Sequence, residues 1–179
     1  MSRLPESSQT EESVKRRWRT PPALVAAIVA RYGSIDTDAA ATQGEEIADV
    51  FEIITPEADA LDPRPWRTVA QAVVFLNPPW GREPRGTATW VRRALEELDR
   101  GRIRLLLLLV PECTDTTWWW TAAGRADEVL SLGRVAYCRP DGTPGPQPPQ
   151  GSTLFVIRPD RSLAREVCLL RRWNWRDAK

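Results

Sequence analysis

Two short apolar runs constrain the fold of this chain more than any other feature. Ala72–Leu76 and Leu105–Val110 are uninterrupted by polar residues, and the second belongs to a predicted strand over Ile103–Val110. Neither run approaches the roughly 20 apolar residues that a membrane-spanning helix requires. Continuous apolar runs of this length are typical of strands buried on both faces of a parallel sheet. A helix is predicted between them over Trp90–Leu98, and this alternation of strand and helix favours an α/β fold with a mainly parallel sheet.

The rest of the chain extends this pattern. Thr20 is expected to be the N-cap of a helix that Gly33 ends, because prolines follow it and apolar residues then recur at helical spacing. Residues 140–151 hold five prolines and three glycines, so they are predicted to form a loop. Further strands are predicted at 34–38, at 128–132 with continuation to 137, and at 154–157, and further helices at 43–50, at 116–122 and in the basic C-terminal segment.

Composition excludes several kinds of active site. The chain has no histidine, which removes the most common general base and metal ligand. Its three cysteines, Cys113, Cys138 and Cys168, are far apart and form no Cys-x-x-Cys pair, so we expect free thiols, no zinc site and no bound metal. Residues 1–17 are predicted to be a disordered arm before one domain over 18–179. No apolar leader is visible, so a cytoplasmic location without membrane contact is expected.

Charge is unevenly distributed along a chain whose net charge is only +1. Residues 33–62 carry nine acidic residues and no lysine or arginine, whereas 158–179 carry seven basic residues against three acidic ones. This asymmetry suits a protein that presents a cationic face to a polyanion, although solvated helix faces would give the same pattern. Arg82, Arg85 and Arg134 are the candidates for contacts with phosphate groups.

The segment Asn77-Pro78-Pro79-Trp80 directly follows the first apolar run. In open α/β sheets, ligands bind beyond the carboxyl ends of the strands, so this segment is where a site is expected. Asn77 and Pro78 each precede a proline, which holds both in an extended conformation. The polar groups left for a ligand are then acceptors, namely the side-chain oxygen of Asn77 and the carbonyl oxygen of Pro78. The alternative is a turn that merely ends the strand.

Two neighbouring acceptors match an –NH2 group, which has two protons to donate. The lone pair of an exocyclic amine on a base is delocalised into the ring, and hydrogen bonds to both protons favour a pyramidal, nucleophilic nitrogen. No strong base is needed, in agreement with the missing histidine. The ring of Trp80 is placed to stack on a base turned out of its helix, and such a stack is worth about 1–3 kcal/mol. We therefore predict that Asn77, Pro78, Pro79 and Trp80 form a catalytic site at which a planar amine is methylated.

In order and spacing, several short motifs of this chain resemble the phage-type DNA N-6-adenine methyltransferases, the Dam-like enzymes of phages and prophages. The resemblance covers residues 18–157, which is most of the chain. The matching pieces are Trp18-Arg19-Thr20-Pro21, Ile35–Ala41, Phe51, Asp59-Ala60-Leu61, Trp66, Asn77–Gly81, Trp90, Ala94, Thr114-Asp115-Thr116, Trp118-Trp119 and Gly133-Arg134-Val135. Two departures stand out, since Trp80 replaces a more common tyrosine and Ala60 a more common glycine.

This resemblance implies a class I (Rossmann-like) methyltransferase fold, with S-adenosylmethionine as methyl donor and N6 of adenine in DNA as acceptor. No Gly-x-Gly loop follows the first strand, so the donor is implied by the resemblance alone. Its cationic groups suit an acidic wall, which makes Asp38 the best candidate for its ammonium or ribose and Asp59 for its ribose or adenine. Thr20 and Pro21 are expected near its methionine part.

The three consecutive tryptophans, Trp118–Trp120, are predicted to begin a helix. Trp118 is the candidate for a contact with DNA, whereas packing is the favoured interpretation for Trp119 or Trp120. Alternative acceptors are N4 of cytosine, adenine in RNA and glutamine in a protein, and a second alternative is an inactive DNA-binding module. The protein is expected to be a monomer or a weak dimer.

Overall fold

The computed structural model describes residues 18–41, 52–53, 60–62, 66, 68–81, 84–159 and 170–177. In these ranges the chain forms one seven-stranded sheet, three α-helices and a final turn of 3-10 helix at Trp175–Asp177. The helices are α1 (Pro22–Tyr32), α2 (Thr87–Asp99) and α3 (Thr117–Arg125). The strands are β1 (Thr37–Asp38), β2 (Glu52–Ile53), β3 (Ala72–Leu76), β4 (Ile103–Pro111), β5 (Glu128–Gly133), β6 (Ser152–Ile157) and β7 (Leu170–Arg172).

The strands lie in the order β2-β1-β3-β4-β6-β5-β7. Only β6 is antiparallel to its described neighbours β4 and β5, and the remaining pairs are all parallel. The prediction of an α/β fold with a mainly parallel sheet is therefore confirmed. Because β6 runs against β4 and β5, the connection between β5 and β6 lies at the sheet edge where the parallel strands end.

Both faces of the sheet are covered, which explains why its central strands are apolar throughout. On β3, Val74 and Leu76 join the core beneath α2 and α3, whereas Val73 and Phe75 join the core beneath α1. All five residues of β3 are buried. Successive side chains of a strand point to opposite faces, so a strand covered on both faces needs an apolar residue at each position.

Several predicted boundaries differ from the structure. Thr20 is not the N-cap of α1, because Pro21 occupies that position and makes no side-chain capping bond. Gly33 does end the helix, with a φ of 89° that favours glycine. The sheet does not continue from Gly133 to Tyr137, since β5 ends at Gly133.

The predicted C-terminal helix is wrong for the residues that the structure describes there. Leu170–Arg172 forms a strand parallel to β5, and only Trp175–Asp177 is helical. The helix predicted at 43–50 lies outside the described residues. Cys113 and Cys138 are free thiols, as expected, while Cys168 is also outside the described residues. Within the described ranges, no helix has the length and apolar character needed to cross a membrane.

Candidate active site

The crevice between β1 and β3 is the place where the order of the sheet reverses. From β1 the chain moves to β2 on one side and then returns to β3 on the other side of β1. Ligands of open α/β sheets bind at such a switch point, beyond the carboxyl ends of the strands. Asp38 ends β1, and Asn77 directly follows β3. The N–H of Ala39 donates to the carbonyl of Phe75 at 2.9 Å, which keeps the two strand ends together.

A hydrogen bond fixes the side chain of Asn77 at this crevice. Its Nδ2 donates to the hydroxyl Oγ1 of Thr20 at 3.1 Å, across 57 positions of the chain. Asn77 is half-buried and Pro78 is buried, while Pro79 and Trp80 are half-buried. The amide uses its donor atom Nδ2 in this bond, and its acceptor atom Oδ1 lies at the other end of the amide group. Thr20, expected near a cofactor, therefore contacts the predicted catalytic asparagine.

A small antiparallel bridge holds Thr20 in this position. Arg19 exchanges two backbone hydrogen bonds with Cys138, at 2.9 and 3.0 Å. Cys138 also bridges Pro144, and the N–H of Gly145 donates to the carbonyl of Tyr137 at 2.8 Å. Residues 137–145 thus become part of the site, a role that sequence analysis missed. The cluster of prolines and glycines at 140–151 was the available signal, but it indicated only a loop.

Gly145 makes this bridge possible because the indole of Trp18 lies directly against it. A Cβ at position 145 would stand 2.6 Å from the carbonyl oxygen of Tyr137 and closer still to the Trp18 ring. Such distances are well below ordinary van der Waals contact, so a larger residue would displace Trp18. The N-terminal motif that contains Trp18 and the loop that contains Gly145 therefore pack against each other.

Trp80 packs edge-to-face on Tyr137, with ring centroids 4.9 Å apart and an interplanar angle of 80°. The hydroxyl of Tyr137 lies 3.0 Å from the Ser152 hydroxyl, and burial raises the pKa of Tyr137 well above its usual value. The Nε1 atom of Trp80 is buried and has no hydrogen-bond partner within the described part of the chain. The Trp80 ring is therefore immobilised from one side, while the residue stays half-exposed.

Asp38 is a carboxyl group buried at the switch point. It is 7% exposed, and its Oδ1 accepts a hydrogen bond from the N–H of Ala40 at 3.1 Å. Burial raises the pKa of Asp38 to about 6, and the bond from Ala40 offsets only part of this effect. Asp38 forms no ion pair with another of the described residues. A buried carboxylate that lacks a cation is suited to binding the cationic or hydroxyl groups of a ligand.

Behind the site, a buried ion pair on α2 fixes the stretch that includes Trp66. Arg93 and Glu97 are 2.5 Å apart and almost fully buried. Arg93 Nε donates to the carbonyl of Asp62 at 3.1 Å, and Glu97 accepts the backbone N–H of Trp66 at 3.0 Å. The indole of Trp66 donates to the carbonyl of Ala60 at 2.7 Å. Sequence analysis missed this pair, because an Arg and a Glu four residues apart are usually on an exposed helix face.

The three consecutive tryptophans have three different environments. Trp119 is buried and donates from Nε1 to Thr153 at 3.3 Å, whereas Trp118 is half-buried against the core. Trp120 is 61% exposed, and its Nε1 donates to the carbonyl of Thr114 at 2.7 Å. It packs edge-to-face on Trp119 at 5.0 Å, so its ring is exposed yet held in place. Because α3 begins after the carboxyl end of β4, these rings lie at the same edge as Asn77.

The remaining predicted residues are brought together only in part. Pro21 follows Thr20 and is the N-cap of α1, so it lies beside the crevice. Arg85 and Arg134 are both exposed. Asp59 and Arg82 lie outside the described residues. Among the described residues, no group of three or more His, Cys, Asp or Glu side chains could hold a metal ion.

Comparison with known proteins gives a family and a relative. The model of the family "DNA N-6-adenine-methyltransferase (Dam)" matches residues 7–177. A protein of Escherichia phage T1, named DNA N-6-adenine-methyltransferase, is 28% identical over 125 residues, which are 70% of this chain and 48% of the relative. The chain therefore spans about half the length of this curated relative. No solved structure matches the chain.

Proposed function

Because the chain belongs to the DNA N-6-adenine-methyltransferase (Dam) family, we propose that it methylates N6 of adenine in DNA with S-adenosylmethionine as donor. The observation that carries this proposal is the Asn77 amide, held by Thr20 at the carboxyl end of β3 beside the buried carboxyl of Asp38. The sheet order, with a switch point at these two residues, supports a class I (Rossmann-like) methyltransferase fold. In this proposal DNA is the partner and no metal takes part.

Asn77 and Pro78 act on the nitrogen that is methylated. The Oδ1 of Asn77 and the carbonyl oxygen of Pro78 each accept one proton of the adenine amine, which turns the lone pair out of the ring plane. Pro78 and Pro79 have no N–H, so they present no donor that would repel the amine. The two acceptors thus select an –NH2 group over a ring carbonyl at the same position.

The cofactor belongs on the acidic side of the crevice. When bound, S-adenosylmethionine would supply the methyl group from its sulfonium, with the proton displaced from N6 passing to solvent. The buried carboxylate of Asp38 fits the ammonium or ribose hydroxyls of this molecule, since either would replace the solvation that burial removes. Asp59, Thr20 and Pro21 remain proposed cofactor residues on the basis of the family resemblance.

The target adenine must flip out of the DNA helix, because its amine cannot reach Asn77 while it is in a base pair. The half-exposed ring of Trp80 stacks on the extruded base in this proposal, with Tyr137 supporting it from behind. Arg82, Arg85 and Arg134 contact phosphates, which adds affinity that falls with salt. The sequence predicts that Trp118 contacts DNA, but Trp118 is half-buried, and the exposed ring of its neighbour Trp120 is better placed for this contact.

Two measurements on one variant test the proposal. Asn77→Ala should bind S-adenosylmethionine within about twofold of wild type by calorimetry, yet transfer no detectable methyl group to DNA. Gly124→Ala is the control, since it is exposed on α3 and a Cβ there meets no atom within 4 Å. Methyl transfer that survives in Asn77→Ala would refute the role of the amide.

Expression in a host that lacks DNA methylation identifies the acceptor. Digestion of the host DNA to nucleosides should release N6-methyladenine from cells with wild type and none from cells with Asn77→Ala. N4-methylcytosine in its place would change the substrate but keep the site. If neither nucleoside is found while the protein binds DNA, the proposal of an active DNA methyltransferase fails.

A further inference from the structure

We propose that Thr20 is a positioning residue for catalysis, whose hydroxyl holds the amide of Asn77 with its oxygen directed to the substrate amine. This inference rests on the proposed function, because it gives Asn77 the role of acceptor. It assigns to Thr20 a role different from the cofactor contact that the family resemblance implies. The bridge formed by residues 137–145 becomes part of the catalytic apparatus, since it determines where Thr20 lies.

The chemistry of the amide makes such a partner necessary. One end of an asparagine side chain accepts hydrogen bonds and the other end donates them, and the two ends have nearly the same shape. An amide rotated by 180° would present its –NH2 to the adenine –NH2, so that two donors would face each other. A hydroxyl can donate or accept, and in the structure the Thr20 hydroxyl accepts from Nδ2 at 3.1 Å, which leaves Oδ1 as the end that faces elsewhere.

The local structure leaves the Thr20 hydroxyl free for this task. Threonine is a preferred N-cap residue, but the N-cap of α1 is Pro21, one position after Thr20, and the helix has no side-chain capping bond. The backbone of the preceding residue, Arg19, is fixed by two hydrogen bonds to Cys138. The position of the hydroxyl is therefore determined by the bridge rather than by the helix.

The substitution Thr20→Val tests this role, because valine keeps the branched shape and removes only the hydroxyl. The Nδ2 of Asn77 then loses its partner in a half-buried position, and an unsatisfied donor of this kind corresponds to a loss of roughly tenfold or more in rate. We expect kcat for DNA methylation to fall by about that factor, with the Kd of S-adenosylmethionine and the KM of DNA unchanged. Thr20→Ser should restore most of the rate.

Thr68→Val is the matched control. Thr68 is a buried threonine, whereas Thr20 is half-buried, and Thr68 precedes β3 at the opposite edge of the sheet, where its carbonyl accepts from Arg102 at 2.5 Å. It should leave kcat within about twofold of wild type. If Thr20→Val weakens binding of S-adenosylmethionine but keeps kcat at saturating cofactor, Thr20 is a cofactor residue and the inference is wrong.

The coupling between Thr20 and Asn77 separates this inference from the proposed function. Asn77→Asp keeps acceptors at both ends of the side chain, so the orientation that Thr20 fixes no longer matters. Thr20→Val should therefore lower kcat by a much smaller factor in the Asn77→Asp background than in wild type. Equal losses in both backgrounds overturn the inference alone, whereas the absence of methylated nucleosides from the DNA of cells that express wild type overturns the proposed function itself.

Discussion

Replacement of Asp38 by asparagine should make the protein more stable while it removes a proposed cofactor contact. The pKa of Asp38 is about 6 in the folded protein, against an ordinary value of 3.8, because burial disfavours the charged form. At about 1.4 kcal/mol per pH unit, this difference corresponds to roughly 3 kcal/mol. Asparagine has nearly the same shape, and its Oδ1 can still accept the N–H of Ala40.

The sign of the effect follows from proton binding. Between pH 3.8 and about 6 the folded protein holds a proton on Asp38 that the unfolded chain has released. The free energy of unfolding of wild type therefore falls as pH rises through this window, and the full penalty is present above it. Asp38→Asn has no such penalty, so its advantage should be about 3 kcal/mol at pH 7.5 and below about 1 kcal/mol at pH 4.

Urea unfolding of cofactor-free protein from pH 4 to pH 8 measures both curves. Asp36→Asn is the matched control, because Asp36 is only half-buried and its carboxylate accepts the N–H of Val73 at 2.7 Å. That variant should not share the stabilisation of Asp38→Asn at pH 7.5. An Asp38→Asn advantage that is the same at pH 4 and pH 7.5, or a loss at pH 7.5, would contradict a buried charge at this position.

Three other outcomes test separate parts of the structure. Binding of S-adenosylmethionine should strengthen by about tenfold as pH rises through 6, from pH 5 to pH 7, and then level off, because Asp38 must be charged to receive a cation. Calorimetry that shows no pH dependence would remove Asp38 from the site. Gly145→Ala should cost about 2–3 kcal/mol in chemical unfolding, since its Cβ has no room, while Gly124→Ala on α3 should be neutral or slightly stabilising. Trp120→Ala should weaken DNA binding at fixed salt and change the free energy of unfolding by less than about 1 kcal/mol. Trp119→Ala should lower the free energy of unfolding by about 3–5 kcal/mol, because this ring is buried. Unchanged DNA affinity in the Trp120 variant would mean that the exposed ring does not touch DNA.

The central strands and α2 could be predicted because the apolar pattern of their own residues indicates which side chains are buried. Every residue of Ala72–Leu76 is apolar, and the structure buries each of them between two layers. The C-terminal segment could not be predicted in this way. Leu170–Arg172 is exposed and basic, and it is a strand only because β5 offers an edge with which it pairs. That pairing depends on the rest of the fold and leaves no local pattern.

The candidate site shows the same division. Asn77 and its prolines follow a recognisable buried strand, so their position at the sheet edge was predictable. The partner of Asn77 was not, because Thr20 is 57 residues away and resembles an ordinary helix cap. Likewise, the sequence of three tryptophans could not tell which ring stays exposed. That depends on how α3 is rotated against β6, where Thr153 receives the indole of Trp119.

The bridge between Arg19 and Cys138 also determines when the site can form during synthesis. Asn77 and Thr20 leave the ribosome early, but the residues that fix Thr20 follow more than 100 positions later. Domains fold as their chains emerge, and contacts so distant in sequence form last. A nascent chain that ends before Tyr137 already contains the asparagine and the threonine, yet lacks the loop that joins them. The amide of Asn77 therefore acquires its orientation only when most of the sheet has been made.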